Sequence, residues 1–296
     1  MNRRIETFVL AVAVIAIAAA PSMANTFGTL YISTDTILTD DHDGDIVITA
    51  DHITLDCGGH VISGDLPVGV RLEGRTQVTV RNCEVAGFVR GFLVLNSVGN
   101  TLVGNIANRN QFGFAVAGSS GNYLYGNTAN SNEFAGFAPG QSTGNTFAGN
   151  TANLNGRNGF EIHLFSNGNV FSENTANNNA ATGFALNLSS NNQLSANTAN
   201  GNAENGFALF QSNGNLLEDN TAIRNAFAGF ALSQSGTNTL VGNRAKNNVA
   251  GFHLVSSSLN TIESNDGTPN SGIDAFQSGS AGNVYLDNRF KTTDGI

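Results

Sequence analysis

The chain has 296 residues, with 35 Gly, 43 Asn, 4 Pro, no Trp and only 12% charged residues. Gly at that level without a G-X-Y period excludes collagen, sparse charge excludes a charge-rich disordered chain or a coiled coil, and two cysteines exclude a disulfide scaffold. A formal net charge of −9 with no basic cluster argues against a nucleic-acid partner.

Residues 1–24 read as a secretory signal: Arg3 and Arg4 give a basic start, residues 8–20 are apolar, and Pro21-Ser22-Met23-Ala24 supplies a small-x-small cleavage site. The mature chain would begin at Asn25 and carry 11 basic against 21 acidic residues, a charge of −10. No other apolar run is long enough to span a membrane. The expected location is therefore periplasmic or extracellular.

Residues 25–65 read as an N-terminal cap and a first coil. Within them, Asp40-Asp41-His42-Asp43-Gly44-Asp45 resembles a calcium loop only superficially. With Gly44 at the sixth place, the first is Thr39 and the twelfth Ala50, so the EF-hand pattern fails and calcium is at most a weak ligand.

From residue 66 to 290 the chain repeats itself. Gly-Phe recurs at Phe92, Phe114, Phe137, Phe160, Phe184, Phe207, Phe230 and Phe252, every 22 to 24 residues, with Gly272-Ile273 as a ninth copy. Taking Phe207 as zero, Leu209 sits at +2, Ser212 at +5, Asn215 at +8, Leu217 at +10, Asn220 at +13, Ala222 at +15 and Asn225 at +18. Steps of two are strand alternation with both residues facing inward, and steps of three turn a corner. Three short strands and three corners close one coil of a three-sided, all-β solenoid. Inward Asn, such as Asn122 and Asn127, Asn145 and Asn150, Asn192 and Asn197, Asn215 and Asn220, are expected to form asparagine ladders between coils. Residues 291–296 remain as a short C-terminal tail, leaving an end open to self-association, end to end or face to face.

The units resemble right-handed parallel β-helix repeats of the pectate-lyase-like superfamily, with most similarity to its NosD-like branch, whose coils run G-[FI]-x-[LV]-x-x-S-x-x-N-x-[LI]-x-x-N. Residues 53–64, ITLDCGGHVISG, resemble the first coil of such helices. The resemblance implies the right-handed, single-stranded β-helix. It brings in three kinds of function: enzymes acting on acidic polysaccharides, members with no known reaction, and accessory proteins of copper enzymes. The superfamily's polygalacturonase, pectate-lyase and alginate-epimerase signatures are absent in the required arrangement.

Outward positions therefore carry the functional reading. Glu161 and His163, at +1 and +3, point outward from one strand and are the best-placed carboxylate–imidazole pair for acid/base work, though a polar substitution on a solvated face is the preferred reading, since a site normally needs several convergent groups. His253 shares that face but lies four coils away, ~19 Å at ~4.8 Å per coil, too far to share a metal with His163. Cys57 and Cys83, 26 residues apart, read first as stacked core thiols, with a disulfide as the alternative. The mature chain has no Met, so a soft copper site is poorly supplied. Thr128/Asn130, Thr151/Asn153, Thr175/Asn177 and Thr198/Asn200 form an outward lattice suited to repeating sugars or ice, or simply to strand and corner. Tyr123 and Tyr125 project together and could stack on a sugar ring. Leu93, Leu95, Ala115, Ala117, Ala208, Phe210 and Val255 read as an exposed apolar strip awaiting a partner. The reading that follows is an exported β-helix that binds a polysaccharide or another surface partner without a cofactor. A carbohydrate-active enzyme, a copper-enzyme accessory protein and an ice-binding protein are the alternatives.

Overall fold

The structure is a computed structural model and describes residues 22–23 and 26–296. The expected signal segment lies almost wholly outside the described residues.

The chain winds into a parallel β-solenoid with three faces. The first face stacks 13 described strands, among them Val68–Glu73, Arg90–Leu95, Phe112–Ala117, Ala135–Gly140, Phe160–Ile162, Phe184–Asn187, Phe207–Phe210, Ala228–Ser233 and Ala250–Val255. The second stacks another 13, including Thr79–Arg81, Tyr123–Tyr125 and Leu216–Glu218. The third is a five-stranded and a three-stranded sheet, joined by single bridges through Thr128, Thr151 and Thr175. Residues 26–65 are wound into these same sheets, Leu30–Ile32 pairing with Ile46–Ile48 and that strand with Val68–Glu73. At the other end Thr293–Asp294 adds a last strand to the first face.

The repeat positions fall as the spacing requires. From Phe92 to Phe252 the rings at zero form one column, with neighbouring centroids 4.6–5.0 Å apart and planes within 7°. A shorter column, Phe147 on Phe171, meets it edge-on. These rings are fully buried, so the coil spacing is also the aromatic stacking distance.

The inward Asn residues hold the corners. Asn127 Oδ1 accepts from both the backbone N–H and the Nδ2 of Asn105, while its own Nδ2 donates to Leu102 O and Asn150 Oδ1. The same four bonds repeat through Asn150, Asn174, Asn197, Asn220 and Asn243. Parallel columns run through Asn122, Asn145, Asn192 and Asn215 and through Asn132, Asn155 and Asn225.

The left-handed residues of the corners are those immediately before the inward Ser or Asn: Gly118, Gly121, Gly126 and Ser131 in one coil, Gln211, Gly214, Asp219 and Arg224 in another. Gly supplies many of them and outward Asn such as Asn178 and Asn191 others, whereas the inward Asn are not left-handed. Gly before Phe has a different task. A Cβ on Gly136 would lie 2.7 Å from Ala152 Cβ and 2.9 Å from Gly159 O, so the missing side chain admits the neighbouring face. Cys57 and Cys83 are not stacked thiols: consecutive coils bring their Cα atoms to 4.7 Å, and the sulfurs are bonded at 2.02 Å, within the usual disulfide span. Cys83 stands at the foot of an Asn column, its N–H donating to Asn105 Oδ1.

Asn150→Ala leaves the Asn127 N–H and Nδ2 without their acceptor inside a dry core, and is expected to cost about 2–4 kcal/mol in urea unfolding. Gly136→Ala should cost about 1–3 kcal/mol by overpacking. Gly144→Ala, where a Cβ meets open space but φ is +64°, should cost only about 1 kcal/mol.

Candidate functional site

The outward side chains of the first face do not form a flat strip. At +1 the register sets Leu93, Ala115 and Ala138 side by side, then Glu161, Ala185, Ala208, Ala231 and His253. Leu93, Ala115 and Ala138 are only 8–9% exposed, which corrects the expectation of an exposed apolar strip there. They are the floor of a trough. One wall rises from residues just before each Gly-Phe: Arg90 and Phe112, then Arg157, Glu204 and Phe227. The opposite wall includes Gln141 and Leu164. Small floor residues between longer wall residues make the recess.

The trough has two depressions, of about 400 Å³ around Leu93, Ala115 and Ala138 and about 560 Å³ around Ala185, Ala208 and Ala231. The second is lined with aromatic rings. His253 stacks on Phe276 at 4.9 Å and meets Phe227 edge-on at 5.1 Å, and exposed Phe210 stands nearby. Burial among these groups pushes the His253 imidazole below its ordinary pKa. On the wall, Thr182 Oγ1 donates to Glu204. Arg157, Glu204, Thr182 and Phe227 were not singled out from the sequence. They sit one to three places ahead of the repeat signature, where neighbouring coils differ.

His163 lines the first depression and Glu161 stands on the same coil, in register with Ala185 of the second; the repeat is irregular there in three ways. First, Pro139 occupies the +2 position of the preceding coil. Phe137 N–H bonds Gly159 O and Gln141 N–H bonds His163 O; the position between them, opposite the Glu161 carbonyl, is Pro139, which has no N–H to give. Second, Gly140 lies in register with His163, and a Cβ there would come 3.0 Å from His163 Nε2, so the imidazole rests on bare backbone. Third, the strand ends at Ile162, and Leu164 and Phe165 are both left-handed, with φ of 53° and 64°. Phe165 is the regular corner residue before inward Ser166, so Leu164 is the extra left-handed residue of this coil.

Other sequence candidates are more widely spread. Thr128, Thr151, Thr175 and Thr198 are in register on the third face. Beside them, Asn130, Asn153, Asn177 and Asn200 build an outer ladder: each Oδ1 accepts the backbone N–H one coil on, at 2.7–2.8 Å. Their oxygens therefore already serve the coil. Tyr123 and Tyr125 lie on the second face. In the first coils, Asp45 accepts from Thr29 Oγ1, and Asp41 from the Val61 N–H. Among the described residues no three His, Cys, Asp or Glu side chains converge as a metal site, and no helix is long and apolar enough to cross a membrane.

A long parallel solenoid with an outward trough defines the class. The family model for the right-handed β-helix region matches residues 46–190 and 162–290, and the chain belongs to that family. No curated protein matches it by sequence. Among solved structures it is similar to the periplasmic alginate epimerase AlgG, at 14% identity and a TM-score of 0.61 over 87% of this chain and 77% of that one. The Azotobacter vinelandii mannuronan C-5 epimerase AlgE6 A-module is 15% identical, with a TM-score of 0.63 over 89% and 91%. The Dettilon tailspike protein is 17% identical, with a TM-score of 0.60 over 88% and 61%. At these identities the likeness is one of fold.

Burial that lowers the His253 pKa in the folded state has a signed consequence. The unfolded chain binds that proton more readily, so the stability due to the neutral imidazole is present above about pH 6.5, the unperturbed value, and is lost as pH falls below it. The thermal midpoint of wild type should drop on acidification through that range, and His253→Asn should show less of the drop.

Proposed function

We propose that the protein binds a polysaccharide along the trough of its first face. The observation that carries this reading is the shape and chemistry of the trough. A floor of Ala residues runs across successive coils between walls bearing Arg90, Phe112, Arg157 and Phe227, with the aromatic group Phe210, Phe227, His253 and Phe276 at one end. An extended chain of sugars needs a long recess, rings to stack on and polar groups at the rim, and this surface provides each. Two of its structural neighbours are named as an alginate epimerase and a mannuronan C-5 epimerase, which agrees with a carbohydrate ligand.

The site works as a binding surface. Between Leu93 and Val255 the two outward columns of the floor carry one carboxylate, Glu161. The wall carboxylate Glu204 belongs to the coil of Phe207, two coils on, and accepts from Thr182 Oγ1, whereas glycoside hydrolysis calls for a facing pair. A second reading is favoured by the convergence of Pro139, Gly140 and the Leu164–Phe165 turn on Glu161 and His163. In it that pair transfers protons on a sugar held across the centre of the trough. The Cys57–Cys83 disulfide and the signal-like start both fit an exported protein acting outside the cytoplasm, and the bond leaves neither sulfur as a thiolate for copper.

A glycan array followed by calorimetry on the best acidic or neutral hit checks the assignment. Ala185→Arg, which fills the floor, should weaken that binding at least about tenfold; unchanged affinity would remove the trough as the binding site. For the second reading, the Glu161→Ala/His163→Ala double variant should abolish any turnover of the bound polysaccharide, and full turnover would rule out that pair.

A further inference from the structure

The second face carries a feature unrelated to the trough. Tyr123 and Tyr125 point outward from one strand, their ring centroids 5.9 Å apart and their planes within 7°. In register with them lie Thr101 and Val103 on one side and Thr146 and Ala148 on the other. All four are smaller, so the two rings stand above their surroundings. Tyr125 is 49% exposed, and its ring rests against the next coil at Gly149, where an added Cβ would be 3.6 Å away.

Stacked aromatics that build this solenoid continue from coil to coil, as the Phe column does. The Tyr pair does not: Tyr123 has Thr on both sides, Tyr125 has Val103 and Ala148, and the pair runs along a single strand. Neither phenol oxygen has a protein hydrogen-bond partner among the described residues, so both hydroxyls are free at the rim of an apolar platform. Glu173 is exposed and follows Ser172, which stands in the column of Tyr125 two coils on. Burial raises the Tyr123 pKa most, with the neighbouring Tyr125 and the Glu173 charge adding to it.

This combination selects a ligand class. A pyranose offers an apolar face of axial C–H bonds and a rim of hydroxyls, which match an aromatic face with a free phenol at its edge. The Glu173 carboxylate accepts sugar hydroxyls and repels carboxylate or sulfate groups. We propose that Tyr123, Tyr125 and Glu173 form a second carbohydrate site, for a neutral pyranose chain that crosses the solenoid axis rather than following it. The site is independent of the trough, and together they would let one molecule hold two glycan chains.

The test uses the neutral β-1,4-glucan cellohexaose, read by calorimetry and by saturation-transfer NMR. Wild type should bind it at millimolar concentration, with saturation greatest at the axial C–H protons. Tyr123→Ala/Tyr125→Ala should weaken binding about tenfold or more with an unchanged thermal midpoint. Glu173→Gln should weaken it less, and Ala185→Arg in the trough should leave it intact. The proposal is overturned if wild type does not bind cellohexaose, if the double Tyr variant binds as well as wild type, or if Ala185→Arg alone abolishes binding. The last two outcomes would place the glucan in the trough; loss at the Tyr pair with the trough variant unaffected leaves the trough reading to its own test.

Discussion

A coil that turns corners every few residues must satisfy its peptide groups where strand pairing lapses, and here it must do so inside a dry core. The inward Asn side chain meets that constraint. It is both donor and acceptor, and it is short enough to reach one coil down and one coil up at once. From Asn96 to Asp287, every left-handed residue except Leu164 is followed by a Ser or Asn, and in the central coils that residue bonds the turn to its neighbours. An unpaired amide at any of these places would cost a few kcal/mol, and each column contains many. The Phe stack, the Ala column and the Gly contacts all depend on the coil spacing those ladders hold.

That division of labour decides where specificity can arise. The inward positions answer to the ladder and the stack, so they repeat. The outward positions answer only to solvent and to each other. A trough formed because floor positions on the first face are small while the wall positions beside them are large, and that contrast exists only across coils. Likewise, the two Tyr rings matter because the residues in register with them are small.

The fold was legible because its determinants recur: eight Gly-Phe pairs in phase give the coil length, and Asn at +8, +13 and +18 gives the inward face. The disulfide was not, because 26 residues of separation puts Cys57 and Cys83 on adjacent coils without saying whether their sulfurs meet. The function of Gly136 and its equivalents was not legible either, because a steric requirement from the Ala column on another face leaves no local trace. The trough walls were missed for a related reason. Arg157, Glu204 and Phe227 occupy positions that differ between neighbouring coils, and a search for what repeats passes over what varies. Glu161 and His163 were visible as departures from Ala, but their setting was not. That Gly140 lies beneath the imidazole, and that Pro139 withholds an N–H opposite Glu161, are facts of register.

The irregular coil therefore carries more weight than its two polar side chains alone. A solenoid can substitute any outward residue at little cost, so Glu161 and His163 by themselves say little. Pro139 is different, because it sits at an inward, buried position and removes a ladder bond there. The extra left-handed residue, Leu164, adds conformational cost one turn further on. Pro139 and Leu164 lie on either side of His163, at the edge of the first depression. The coil thus gives up one strand hydrogen bond and takes on one extra left-handed residue beside the only carboxylate–imidazole pair that the described residues place on the two outward columns of this face.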